Sequence, residues 1–393
     1  MKRAKIFLIV SISILLIITT IFTLARLNNK QIYNNNTTKI DNNDKRIDGE
    51  INQNDDYKLF NDYYDDAKEK IKNLSLEEKI SQLLLVRYPE NPKTALQNYQ
   101  FGGYILFAKD FANKTEEEVK TMINELQNIS KIPLLIAVDE EGGIVNRVSL
   151  NPNLVDSPFK SSQELYREGG FDAIREDIIN KSRILSNIGI NLNLAPVVDV
   201  STDETDFMYK RTLGQNVKET STYAKTVIEA SKNTNVSYTL KHFPGYGKNL
   251  DTHVGTSTDN RTIEELRNNS LSPFREGINA GAQAVLISHN VINQIDKNNP
   301  ASLSKNVHNI LREELNFTGI IITDALDMDA VSNIDNLYVK AIEAQNNLLI
   351  ITDYKNAIEQ IKNAVNNNTI TKEKIDQLAT EIIAWKYYKK LIS

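Results

Sequence analysis

The stretch TGIIITDAL, residues 318–326, sets the reading of this chain. Three isoleucines and a threonine run without a polar break, and β-branched side chains pack well on a pleated surface. A run apolar on both faces suits a parallel strand covered by helices rather than a half-exposed antiparallel one. The run stops at Asp324, and Ala-Leu follows. This carboxylate is therefore expected at the tip of a rigid strand, where packing alone requires no charge.

Seven further runs share this character: ISQLLLV (80–86), GGYILFA (102–108), LLIAVDEEGG (134–143), NLNLAPVVDV (191–200), VSYTLKHFPG (236–245), AQAVLISHNVI (282–292) and NNLLIITD (346–353). Helical patterns lie between most of them, at 115–129, 172–188, 219–233, 262–281 and 304–316, and two more follow the eighth run at 354–365 and 371–391. Regular strand–helix alternation argues an α/β fold. Eight units predict a (β/α)8 TIM-type barrel, with an open α/β sheet as the alternative. No Gly-rich phosphate fingerprint follows the first strand, which argues against a dinucleotide site.

The chain has 393 residues, 40% apolar and 25% charged, with net charge −5. No basic block lies beyond the N-terminus, so nothing points to nucleic acid. There is no cysteine, which excludes disulfides, a thiol nucleophile and zinc–thiolate sites. Lys2, Arg3 and Lys5 precede an uncharged run from Ile6 to Ala25. At 1.5 Å rise, about 20 apolar residues span a bilayer core of roughly 30 Å. The leading charges favour a cytoplasmic N-terminus, while Thr23-Leu24-Ala25 offers a cleavage site. Residues 6–25 are thus expected as a membrane anchor or a signal segment, with the body exported to the extracellular side of a bacterial membrane or secreted. The Asn- and Asp-rich tract after it buries too little to offset ordering entropy and reads as a tether. The expected organisation is 1–26 anchor or signal, 27–66 linker, and 67–393 barrel with C-terminal helices.

In such barrels the active site lies at the C-terminal ends of the strands, and the runs end in reactive side chains. The third ends in Asp139, Glu140 and Glu141, with Arg147 beyond. The fourth ends at Asp199, the fifth at Lys241 and His242, the sixth at His289 and the seventh at Asp324. Asp199 is expected to brace loops, His289 to sit in either core or site, Asp327 or Asp329 to cap the next helix, and His308 to lie at the surface or core edge. The loop KHFPGYGKNLDTHVG, 241–255, holds two of the four histidines. Asp251 lies two residues before His253. An aspartate beside a histidine fixes the tautomer and leaves the other nitrogen to move protons; a solvated loop histidine is the plainer alternative.

These segments resemble a known family. KHFPGYGKNLDTHVG resembles the KHFPGHG-x4-D-[ST]-H segment of family 3 glycoside hydrolases of the β-N-acetylglucosaminidase branch. AVDEEGGIVNR resembles its DQEGG-x-V-x-R segment. GINLNLAPVVDV, KRTLG, ITDALDM and GGYILF fall in the family's order, and together the matches cover about residues 70 to 355. The resemblance implies a (β/α)8 barrel and retaining, double-displacement hydrolysis. It implies Asp324 as nucleophile, His253 as acid/base and Asp251 as its partner. It also implies Asp139, Arg147, Arg211, Lys241 and His242 as sugar-binding residues. No metal or organic cofactor is implied. The chain departs from the pattern at Tyr246, where the family has a second histidine, and at Glu140, where it has glutamine. Few residues follow the eighth run, which favours the N-acetylglucosaminidase over the two-domain β-glucosidase branch. The expected substrate carries a terminal β-linked GlcNAc, as in a peptidoglycan fragment. A phosphorylase or β-glucosidase of the same family, or a surface sugar-binding protein without activity, are the alternatives.

Overall fold

The computed structural model describes residues 59–248, 251–252 and 255–392. The predicted 6–25 span and the linker up to residue 58 lie outside them; the end of the expected 27–66 linker is instead ordered, with Phe60 buried and a helix running over Tyr64–Lys72. Among the described residues no helix is long and apolar enough to cross a membrane.

Eight parallel strands form one sheet: β1 (Leu84–Arg87), β2 (Gly103–Ile105), β3 (Leu135–Val138), β4 (Leu192–Asn193), β5 (Ser237–Phe243), β6 (Ala284–Ile287), β7 (Ile320–Thr323) and β8 (Leu349–Ile351). Neighbours follow chain order from β1 to β7, and β8 returns to pair with β1. Between β7 and β8 the bridge Ile322–Leu348 closes the ring, helped by the N–H of Ile350 donating to Thr323 Oγ1 at 3.1 Å. The predicted TIM-type barrel is therefore what the chain builds. Strands β1, β2, β3, β5, β6, β7 and β8 are buried along nearly their whole length, as their two-faced apolar sequences require.

Several predicted boundaries move. Residues 80–82 belong to a helix, α1 (Leu76–Gln82), started by a capping box between Ser75 and Glu78. The fourth run yields a two-residue ladder, because Pro196 has no N–H to extend it. The 282–292 run splits: Val291–Ile292 leaves the barrel and pairs with Thr258–Asp259, anchoring the loop after β5 to the loop after β6. Gly103 is required where it stands, since a Cβ there would lie 2.2 Å from the Leu135 carbonyl oxygen.

Around the barrel run α2 (Pro92–Asn98), α3 (Glu116–Ile129), α4 (Ser162–Asn187), α5 (Val217–Ser231), α6 (Leu271–Asn279), α7 (Lys305–Asn309), α8 (Leu337–Glu343) and α9 (Tyr354–Asn366). α4 contains non-helical backbone at Gly169 and Gly170. α8 begins at Asn336, so neither Asp327 nor Asp329 caps it. Asp327 instead accepts from Arg87 and Thr352, both at 2.8 Å. The last helix, α10 (Lys372–Tyr388), lies at the N-terminal end of the barrel. There Trp385 Nε1 donates to Gln283 Oε1 at 2.9 Å, and the fully buried Lys386 Nζ donates to Gln82 Oε1 at 2.9 Å. His308, expected near the surface, is fully buried between the Ser304 carbonyl and the Asn346 side chain.

Candidate active site

At the C-terminal mouth of the barrel lies a cavity of about 300 Å³, lined by Asp139, Arg147, Arg211, Lys241, His242 and Asp324 together with Glu141, Arg87, Phe107, Asp327 and Met328. Six of the eight side chains singled out in the sequence thus meet in one place. A larger groove of about 800 Å³ runs along the outer side of α4 and contains none of them. Asp251 does not line the cavity; His253, and with it the expected Asp251–His253 pairing, lies outside the described residues.

The ladder hydrogen bond from Asp324 N–H to the Ile287 carbonyl, 2.9 Å, carries β7 right up to the carboxylate. Oδ1 accepts from the N–H of Ala325 at 2.8 Å. Burial pushes this carboxyl up, but His289, that N–H and Lys241 outweigh it and hold it below the usual carboxylate value.

Lys241 and His242 are consecutive, yet both reach the cavity, at an irregularity in the β5–β6 register between Leu240 and Phe243. Such irregularities re-aim side chains at strand ends. Lys241 Nζ lies 2.8 Å from Asp139 Oδ1 and 2.7 Å from Glu141 Oε1. Glu141 also takes a two-pronged contact from Arg211, Nε to Oε2 at 3.0 Å and Nη2 to Oε1 at 2.7 Å. Burial raises the Glu141 carboxyl, yet the two cations hold it well below the carboxylate range. The same ion pairs keep Lys241 and Arg211 firmly protonated.

His242 Nδ1 is 2.8 Å from Asp199 Oδ2, and its Nε2 is 3.2 Å from Arg211 Nη2. A carboxylate only accepts and a guanidinium only donates, so the ring carries its proton on Nδ1 and turns its Nε2 lone pair to Arg211. Asp199 also accepts the N–H groups of His242 and Tyr246, at 3.1 and 2.6 Å, and braces the strand end as expected. Arg147 donates from Nη1 to the Asn146 carbonyl at 3.0 Å, while its buried Nε has no hydrogen-bond partner. A buried donor without a partner is costly and marks a place where a ligand oxygen would be welcome.

Glu140 turns away from the cavity. Its carboxylate accepts the N–H groups of Arg147, Val148 and Ser149 at 2.8, 2.7 and 3.3 Å, and the Ser149 hydroxyl at 2.5 Å. The added charge at this departure therefore organises the loop that presents Arg147. His289 is fully buried behind Asp324 and does not line the cavity. Sequence reasoning placed Glu141 at a run's end without a role, read Asp327 only as a helix cap, and missed Arg87; all three line the cavity. Glu141 sits one place beyond the acidic pair at the end of β3, and Arg87 ends the first apolar run, but their pairings join residues far apart in the chain. Among the described residues no group of three or more His, Asp or Glu side chains could hold a metal ion.

A closed parallel barrel whose mouth gathers an ionised carboxylate and charged hydrogen-bonding side chains is the architecture of a glycoside hydrolase. Residues 75–384 match the glycosyl hydrolase family 3 N terminal domain, and the chain belongs to that family. It is 30% identical over 239 residues to a beta-hexosaminidase of Xanthomonas campestris, covering 60% of this chain and 71% of the relative. With a beta-hexosaminidase of Haemophilus influenzae it shares 31% over 265 residues, 66% of this chain and 74% of the relative. A glycoside hydrolase family 3 beta-N-acetylglucosaminidase from Paenibacillus sp. superposes with TM-score 0.76 at 28% identity, over 81% of this chain and 63% of that one.

Proposed function

We propose that the protein is a retaining exo-β-N-acetylglucosaminidase. The observation that carries the reading is Asp324 at the tip of β7, inside the same small cavity as Asp139, Arg147, Arg211, Lys241 and His242. A volume near the lower end of roughly 300–1,000 Å³ for small-molecule sites suits one terminal sugar rather than a long chain. The names of the relatives support a hexosamine in that place.

In this reading Asp324 Oδ attacks the anomeric carbon as the glycosidic C–O bond breaks, and the leaving oxygen takes a proton from His253, partnered by Asp251. The glycosyl–Asp324 ester is then opened by water, whose proton returns to His253. Asp139 accepts from sugar hydroxyls. Arg147, Arg211 and Lys241 donate to them through charge-assisted hydrogen bonds. His242, held by Asp199 and Arg211, completes the wall. The proposed natural substrate is a peptidoglycan fragment ending in GlcNAc β-linked to MurNAc, met on the outer side of the membrane.

The test is release of 4-nitrophenol from its β-GlcNAc conjugate by the purified chain, beside β-glucoside and β-xyloside conjugates. Activity on the first, lost in Asp324→Asn and sharply reduced in His253→Ala, is the expected result. Full activity in both variants overturns the assignment. A sugar 1-phosphate formed in phosphate buffer would make the enzyme a phosphorylase instead.

A further inference from the structure

Tyr246 occupies the position where the resembled family segment carries a second histidine, and its surroundings give it work. The side chain is buried, 2% exposed. Its ring meets His242 edge-on at 5.2 Å and 80°, and Phe207 at 5.1 Å and 81°. Its N–H donates to Asp199. The phenol oxygen lies 2.5 Å from Thr252 Oγ1, and Thr252 is itself fully buried. In the chain, Thr252 stands between Asp251 and His253.

The loop that starts at Tyr246 is pinned at both ends. At the near end Arg261 Nη2 donates to the Gly245 carbonyl at 2.7 Å, and Gly245 holds φ +105°, a conformation that L side chains rarely adopt. At the far end Thr258–Asp259 pairs with Val291–Ile292, and Arg261 grips Asp259. The Tyr246–Thr252 contact ties the loop across its middle, from a ring already packed on a residue of the sugar cavity.

We propose that Tyr246 is a positioning residue for the proton donor: its hydroxyl holds Thr252, the residue between Asp251 and His253 in the chain, and ties it to the ring packed on His242. The inference rests on the reading of the 251–253 segment as the acid/base. Chemistry favours a phenol for this task. Burial, and then the nearby Asp324 charge, push its ionisation above the ordinary tyrosine value. The tie therefore stays a neutral hydrogen bond throughout the working pH range, whereas an imidazole at the same place would titrate near neutrality. A misplacement of about 1 Å in a reacting group can cost on the order of 100-fold in rate, so a tie of this kind matters most where proton donation limits the step.

The experiment measures kcat/KM for aryl β-GlcNAc substrates, from dinitrophenyl, which departs without a proton, to alkyl-like leaving groups that need one. It compares wild type, Tyr246→Phe, Thr252→Val and the double variant, each checked for unchanged thermal unfolding. The expected result is a loss of about 10–100-fold on the poorest leaving groups that nearly vanishes on the dinitrophenyl substrate. The single variants should behave alike, with the double variant no worse than either. Tyr246→His should add a limb to the pH profile. An equal loss on every leaving group, or a rise in KM alone, overturns the proposal, because the ring would then act only through His242. No loss in either single variant overturns it too. A wild type inactive on the whole series sinks the hydrolase reading instead, so the two failures are separable.

Discussion

His289 hangs the residue after Asp324 from the neighbouring strand: its Nε2 lies 2.9 Å from the Ala325 carbonyl oxygen. A carbonyl can only accept, so Nε2 carries a proton, while Nδ1 meets the Ser302 hydroxyl at 2.7 Å. Ala325, whose N–H supports the Asp324 carboxylate, is thus held through its carbonyl as well. His289→Phe keeps a ring and removes both nitrogens. Stability should fall by about 1–3 kcal/mol, the cost of orphaned buried polar groups. The acid limb of kcat/KM should also move to higher pH, because His289 is among the groups that hold Asp324 low. A pH–rate profile and urea unfolding check both; an unmoved acid limb removes His289 from the electrostatics of the site.

Glu141→Gln tests the ion-pair cluster. It leaves Arg211 and Lys241 facing each other with one anion fewer, and Asp139 still meets Lys241. The loss should fall toward the low end of roughly 3–5 kcal/mol for removing one partner of a buried pair. The Glu141 carboxyl is depressed in the folded protein from its ordinary value of 4.5. Its contribution is therefore present above pH 4.5 and fades as pH falls through the folded value. Denaturation midpoints should drop more steeply on acidification in the wild type than in Glu141→Gln.

Lys386 carries the opposite sign. Burial pushes its ammonium down to about 7 from its ordinary value of 10.5. Between those values the unfolded chain binds the extra proton, so stability should rise with pH, by up to about 1.4 kcal/mol per unit for one proton. Lys386→Met should remove that rise between pH 7 and pH 10, measured as the difference in unfolding free energy between variant and wild type. Parallel curves for the two proteins would refute it.

Gly103→Ala should fail for steric reasons alone. The added methyl would collide with the Leu135 carbonyl in the β2–β3 ladder, and backbone cannot step aside as a side chain can. A loss of about 1–3 kcal/mol or more is expected, read as a lower thermal midpoint.

The barrel was legible because its strands are short, apolar on both faces and followed by charge. TGIIITDAL announces both a buried strand and a residue standing at its tip. The cavity set was legible for the same reason, with Lys241 and His242 ending one run and Asp139 another. Local pattern failed where distant partners decide. Ile80 reads as strand, but the Ser75–Glu78 capping box starts a helix that contains it. Asp327 reads as a helix cap, yet Arg87, 240 residues earlier, claims it. His308 reads as a helix-surface residue, while Asn346 and the Ser304 carbonyl supply the two partners that let it be buried. Glu141 stood out only as a charge at a run's end, because its role comes from two cations, 70 and 100 residues onward, that only the closed barrel brings to it.

The contact of Lys386 with Gln82 joins positions 304 residues apart. Gln82 leads into the first stave of the barrel, and Lys386 belongs to the helix that floors it. A chain emerging from the ribosome therefore carries an unfloored ring until that helix has been made. Closure of so long a loop is slow, so the floor is among the last parts of the structure to lock.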